Sequence, residues 1–378
     1  MIKIFACGDI VNYNNVNCSL LSPELEEIVK AADYSVFNFE APIQGVGTPQ
    51  LKSGPHHAQR PKTLEGLKGQ GFDLALLANN HIFDYGYEGL DATINLAHKC
   101  GLETIGAGLD KESAYAPLIK KLGGMKIGII NACEAQFGVI NDFDRVTEAG
   151  FAWVNSPVID QTILDLKVMC DFVLVFAHAG LENYSIPLQE WRTRYRHFCD
   201  LGADAIICSH PHVPQGIEEY GSSLIFYSLG NFYFDGGRSA NSENQSFAVL
   251  LKIEKNVPIS FEPVYHYTSN GLVDVARENK KIDLAYLCKL LNENYFQEHE
   301  MMVIEAYNKF KKQLVCAVTD FPIDTTVKGT IRELLNKILG RPKAFSRELA
   351  AMHLIRNEAY YYVTKNALEI KVRGGSLK

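Results

Sequence analysis

The chain has 378 residues, 47% of them hydrophobic and 21% charged, enough for one large domain plus a smaller one and ordinary for a globular protein. A formal net charge of −7 argues against a general nucleic-acid binder, which carries a basic excess. The nine Cys are odd in number and form no CxxC pair, which favours reduced, buried thiols (Cys7, Cys133, Cys170 and Cys208 lie in or beside apolar runs) over a disulfide framework or a zinc cluster.

Lys3 to Cys7 reads as a first strand running into Gly8-Asp9. It lacks the charged region and long apolar run of a signal peptide, and no apolar stretch reaches the length of a membrane span. A cytoplasmic protein is therefore expected. Pro23 to Ala32 reads as a helix, with Ser22 as N-cap, Pro in the first turn and acids near the positive end. Tyr34 to Phe39 is a second strand ending in Glu40. For Glu40 alone, a solvated loop carboxylate is the competing reading.

Residues 44–62 form a loop rich in Gly and Pro that holds His56, His57 and Arg60, and loops of this length are often functional or mobile. A helix near Leu64 to Gln70 leads into the apolar run Asp73 to Ala78, which reads as a buried parallel strand. That run ends in Asn79-Asn80-His81 and Asp84. In an open α/β sheet, ligands bind beyond the carboxyl ends of the strands. An Asn-rich helix cap explains this stretch equally well on its own.

A helix from about Tyr87 to Cys100 and a strand, Glu103 to Ile105, follow. Pro117 to Lys121 and Lys126 to Asn131 read as a hairpin around Gly123-Gly124. After a helix from about Ser156 to Met169, a buried run, Asp171 to Ala177, ends in His178-Ala179-Gly180-Leu181-Glu182. A helix holding Trp191 leads to a further strand, Ala203 to Cys208, that ends in Ser209-His210-Pro211-His212. Another, Leu224 to Leu229, ends in Gly230-Asn231. Alternating strands and helices predict an α/β fold. Phe247 to Lys252 and Ile259 to Tyr267 read as edge strands. From about Lys280 the pattern is helical and charged; there His299 and His353 read as solvated helix residues rather than ligands.

Set side by side, the strand ends carry Asp9, Glu40, Asn80, His81, His178, His210 and His212. This mixture of carboxylate, amide and imidazole suits Mn, Fe or Zn, and holds too much nitrogen for a dedicated Mg or Ca site. Two divalent metals about 3.5–4 Å apart would use it economically.

The order Gly8-Asp9, Asn38-Phe39-Glu40, Ala78-Asn79-Asn80-His81-x-x-Asp84-x-Gly86, His178-x-Gly180-x-Glu182, His210-Pro211-His212-Val213-x-Gln215 and Tyr227-Ser228-Leu229-Gly230-Asn231-Phe232 resembles the CapA family. That family is associated with capsule and poly-gamma-glutamate synthesis and is similar in fold to the calcineurin-like metallophosphatases. The likeness covers roughly residues 1–265. It implies a metallophosphatase-like α/β sandwich over 1–270; the helical, charged pattern beyond it predicts a mainly helical region over 271–378 that shapes or covers the site. It also implies a metal-dependent hydrolase acting on a phosphorylated or polyanionic substrate, with capsule or polyglutamate synthesis proteins as partners.

By the same resemblance, Asp9 binds the first metal, Glu40 bridges, Asn80, His178 and His210 bind the second, and His212 returns to the first. His81 is the general acid or phosphate contact, oriented by Asp84. Glu182 and Asn231 support the ligands from behind or contact the substrate, and Arg60 contacts phosphate or carboxylate. Two departures stand out. The wider superfamily has a His two residues after its first Asp, where this chain has Val11; the first metal then binds weakly or borrows His56 or His57. Relatives often carry a membrane anchor or export signal, and none is read here. The alternatives are a non-catalytic accessory or binding subunit of a synthesis complex, and an amide hydrolase acting on polyglutamate.

Overall fold

In the computed structural model, which describes residues 1–140, 149–236, 244–318, 326–339 and 347–374, side-chain alternation decides the layers. On the first strand, Ile2–Val11, Ile4 and Ala6 join one apolar core while Phe5 and Cys7 join another. The first sheet places this strand between Asn244–Ile253 and Tyr34–Phe39. Leu74–Leu76 and Glu103–Ile105 continue it on one side, and Ser260–Ser269 and Leu272–Val275 on the other. The second sheet runs Ile217–Tyr220, Ser223–Phe226, Ala205–Ser209, Phe172–His178, Met125–Cys133, Leu118–Leu122.

The two sheets stack through Ile4, Val36 and Leu76 against Ile129, Leu174, Phe176 and Ile207. Behind the first sheet, Phe5, Phe37 and Phe39 pack with Leu25 and Val29 of the helix Pro23–Lys30, and with Leu64, Leu67 and Leu90. Each fully buried side chain of this size contributes about 1.5–3 kcal/mol. The helices Pro157–Met169 and Gln189–Leu201 bury Ile163, Leu166, Trp191 and Phe198 along the second sheet. The result is an α/β sandwich followed by C-terminal helices, as the sequence predicts.

Several local expectations hold. Ser22 accepts from the Leu25 N–H, with Pro23 in the first turn. The hairpin Leu118–Leu122/Met125–Cys133 turns through Gly123 and Gly124, both at positive φ, the conformation a two-residue hairpin needs. The eight described cysteines, Cys7 to Cys288, are free. No described helix is long and apolar enough to cross a membrane.

Others need correction. Asn244–Ile253 and Ser260–Ser269 are interior strands, each paired on both sides; the edge is Leu272–Val275. Asn244–Ile253 is buried on both faces, with Phe247 and Val249 in one core and Ala248 in the other, whereas Ser260–Ser269 is half-exposed along most of its length although paired on both sides. Asn231 does not end a strand but begins one, Asn231–Phe234, which pairs in parallel with Ile2–Val11. The first strand extends through Asp9 instead of stopping at Cys7.

That extension contains a bulge. Ala6 pairs with Val36 and Asp9 with Asn38, so the first strand spends three residues where its neighbour spends two. Strict alternation would send Asp9 toward the helices with Phe5 and Cys7. After the extra residue Ile10 takes that side instead, and Asp9 turns to the same side as Asn38. Gly8 lies in the bulge, where a Cβ would collide with the Gly230 carbonyl oxygen, so glycine is required by close approach.

The described chain forms two compact units, residues 1–50 with 56–295 and residues 51–55 with 296–378. In the second, Met302, Val303, Phe310, Leu354 and Val363 are buried, and Phe310 packs on Tyr360 at 5.0 Å between ring centroids. His299 is not solvated as the sequence suggested but buried, and burial pushes its imidazole down to about 4. Its helix sits against other apolar surface, which charge composition alone does not reveal.

Candidate metal centre

The parallel strands of both sheets end at one rim, and most of the predicted site residues meet there. Asp9 and Asn38 come from the first sheet, with Glu40 one residue past Tyr34–Phe39. Asn80 and His81 lie in the turn after Leu74–Leu76, His178 closes Phe172–His178, and His210 follows Ala205–Ser209. His210 and His212 both have positive φ, 100° and 60°. Such a backbone costs about 1–3 kcal/mol per non-glycine residue and persists where a site over-determines it. Here it lets two imidazoles separated by one proline turn toward the same carboxylates.

The donor atoms crowd together. Asn38 Nδ2 donates to Asp9 Oδ1 at 2.7 Å, and the His210 N–H donates to Asp9 Oδ2 at 3.2 Å. His212 Nδ1 lies 3.4 Å from Asp9 Oδ2 and 2.9 Å from Asn231 Oδ1. Around His178 Nε2 stand Asn80 Oδ1 at 3.0 Å, His210 Nδ1 at 3.1 Å and Glu40 Oε1 at 3.5 Å. A ring nitrogen carries at most one hydrogen, so these lone pairs cannot all be satisfied by one another. Both Glu40 oxygens are buried and accept no hydrogen bond. A buried carboxylate costs several kcal/mol, roughly, unless a cation stands by, and its nearest charged neighbours are His178 Nε2 at 3.5 Å and His212 Nε2 at 3.8 Å.

The donors gather into sets whose atoms lie within 4.8 Å of one another: Asp9, Glu40 and His212; Glu40, His178 and His210; and Glu182, His210 and His212. Glu40 belongs to two of them. The residues therefore fit divalent cations, through carboxylate oxygen and imidazole nitrogen.

Electrostatics point the same way. Burial, then the Asp9 charge, raises the Glu40 carboxyl above its ordinary range. Burial would also raise Asp9, but hydrogen bonds and charges from His178 and His212 outweigh it and hold Asp9 well below. Burial opposes charge on His178 and His212, yet Glu40 and Asp9 prevail and lift them to about 9 and about 10. His210 is driven well down, by burial and then by its two cationic neighbours.

In the metal-free protein, protons thus stand in for cations. A raised histidine stabilises the fold fully below its unfolded pKa, about 6.5. That contribution fades as pH rises through about 9 to 10. The melting temperature of metal-free protein is expected to fall over this window, and saturating Mn to flatten the decline, because metal displaces the protons. Thermal unfolding at stepped pH, with and without Mn, checks both; a metal-free curve level above neutrality counts against the arrangement.

His81 stands beside this cluster, and its Nδ1–H donates to Asp84 Oδ2 at 2.7 Å. Arg60 is not gathered in by its hydrogen bonds: its Nε donates to the Tyr13 carbonyl at 2.8 Å. His56 turns away, its Nε2 bonded to the Gln50 carbonyl at 2.7 Å. Sequence reasoning missed Glu134, buried one residue past Met125–Cys133, with Oε1 3.6 Å from His210 Nε2. The strand-end rule would have found it had that strand not been ended at Asn131. Asn131 serves structure instead, bridging the sheets from Ala78 N–H to the Phe176 carbonyl.

The sequence profile of the family described as "Bacterial capsule synthesis protein PGA_cap" matches residues 3–236, which include every residue named at this rim. The chain belongs to that family. It is 32% identical to the PGA biosynthesis protein CapA of Bacillus subtilis, over 63% of this chain and 62% of the relative. It is 30% identical to the capsule biosynthesis protein CapA of Bacillus anthracis, over 55% and 52%. The match thus spans between half and two thirds of these relatives' lengths. A probable polyglutamine synthesis accessory protein of Mycobacterium tuberculosis is 26% identical, over 54% of this PGA_cap chain and 56% of its own. Among solved structures, a calcineurin-like phosphoesterase, YfkN of Bacillus subtilis, is similar over 79% of this chain and 98% of its own, with a TM-score of 0.38 and 16% identity. A phosphatase from Mycoplasma pneumoniae is similar over 70% and 93%, with a TM-score of 0.43 and 17% identity.

Proposed function

We propose that this PGA_cap protein is a metal-dependent phosphoester hydrolase working in capsule or polyglutamate synthesis. The observation that carries the reading is Glu40, buried with both oxygens accepting no hydrogen bond at the meeting point of two donor sets. In this reading Asp9, Glu40 and His212 hold one divalent metal, and Glu40, Asn80, His178 and His210 hold a second. Bound there, Mn, Fe or Zn would supply Lewis acidity and a nucleophilic water at neutral pH. His81, aligned by Asp84, gives a proton to the departing ester oxygen. Asn231 orients His212, and Glu182 faces the substrate from the third donor set. The reading places the protein in the cytoplasm, where its free thiols stay reduced.

A second reading, a binding subunit with a reduced metal site, draws support from Val11. It is a fully buried apolar side chain where the resemblance leads one to expect an imidazole, which leaves three protein donors in the first set. A Mn-supplemented screen of phosphomonoesters and phosphodiesters separates the two. Phosphate release that EDTA abolishes is the expected result. A fully metal-loaded protein that hydrolyses none of them speaks for the binding subunit, and release of new amine from polyglutamate speaks for amide cleavage.

A further inference from the structure

Tyr13 has no part in the metal pocket and His57 belongs to no donor set among the described residues, yet both stand at its rim. The His57 ring lies 4.1 Å from the His81 ring, centroid to centroid, and edge-on to it. It also meets one side of Phe234 at 6.1 Å, and His212 meets Phe234 at 5.4 Å. Asp84 Oδ2 accepts from both the His81 ring and the His57 backbone N–H, the latter at 2.7 Å. One buried carboxylate oxygen thus sets the position of both histidines. Tyr13 follows the first strand, two residues beyond Val11, and its hydroxyl pairs with His57 Nδ1.

This pairing leaves the imidazole two forms, since a phenol hydroxyl both donates and accepts. With the hydroxyl donating to a lone pair on Nδ1, the ring's hydrogen is on Nε2 and Nδ1 is occupied. In that form His57 does not replace the histidine expected at Val11 as a ligand through Nδ1, and no donor set among the described residues includes it. Tyr13 is itself fixed: its N–H donates to Asp235 Oδ1 at 2.6 Å, its carbonyl accepts from Arg60, and its ring fills the space where a side chain at Gly236 would sit. Arg60 thereby acts on Tyr13's backbone.

We infer that His57, held in its Nε2–H form by Tyr13 and placed beside His81 by Asp84, donates a hydrogen bond to a phosphoryl oxygen of the substrate. The inference rests on the phosphoester reading above. It gives the site a second, neutral imidazole with a binding role, separate from the proton transfer assigned to His81. Tyr13 is a positioning residue that acts through His57.

The test uses full-length Mn-loaded protein and inorganic phosphate as probe, followed by titration calorimetry. His57→Ala is expected to weaken phosphate binding about tenfold, the size of one hydrogen bond to a charged acceptor, with Mn content unchanged. His57→Gln, whose side chain keeps a donor, is expected to recover most of the loss. Tyr13→Phe is expected to weaken binding a few-fold, roughly, through lost orientation alone. In the metal-free protein it should also convert the His57 ring-nitrogen NMR signals from a single Nε2–H pattern to a mixture. Wild-type phosphate affinity in a folded, metal-replete His57→Ala overturns the proposal, as does a wild-type His57 protonated on Nδ1 alone. Should His57→Ala fail to fold, Tyr13→Phe decides by the same two readouts. A metal-loaded wild type that binds no phosphate overturns the phosphoester reading itself, a result distinct from loss of the His57 effect alone.

Discussion

Purified from Mn-supplemented cells, the wild-type chain is expected to carry close to two metal ions, and His178→Ala to lose at least one. His178 is the natural choice for removal. Its Nε2 is the atom about which Asn80, His210 and Glu40 converge, and its Nδ1 lies 3.6 Å from Asp9. Truncation opens one donor set and removes the cation that offsets Glu40 when metal is absent. Mass spectrometry of metal content on both proteins decides the matter. About one metal in wild type would locate the weakness at the set left short by Val11; none, even after anaerobic purification with added Mn, would favour the binding-subunit reading.

His81→Ala is expected to keep both metals and lose hydrolysis by about 10² to 10⁴ in kcat, the range for a positioned general acid. The separation of effects is the point. His81 is bonded to Asp84 and belongs to none of the donor sets, so its loss should spare metal loading. The deficit should be largest for esters with poor leaving groups, which most need a proton, and smallest for nitrophenyl esters. Comparing kcat on the two ester classes, with metal content measured alongside, tests this; equal activity in variant and wild type removes His81 from the mechanism.

Much of this arrangement is legible in residue order. One buried strand that ends in Asn or Glu has a capping or solvated-loop reading, but several such strands in one sheet announce a site, because ligands bind beyond their carboxyl ends. That logic reached Glu40, Asn80, His178 and His210. It reached Asp9 on a strand ended too early, since a run of alternating residues does not advertise a bulge. It missed Glu134 for the same reason of strand length. Arg60 is a candidate by the resemblance and His56 by its place in the 44–62 loop; their partners are backbone carbonyls, which a sequence does not display. Tyr13 and His57 come from segments 44 residues apart, and only the fold pairs them.

The bulge between Ala6 and Asp9 carries a consequence for how this chain can vary. Because side chains alternate strictly, what puts Asp9 between the sheets is a count of residues. Losing one residue here would turn the aspartate toward the helix layer and send the adjoining apolar side chains the wrong way, with every residue of the donor sets still encoded. The segment works like a reading frame. Its length is guarded more closely than most of its letters, and a single-codon deletion should do more damage there than many substitutions.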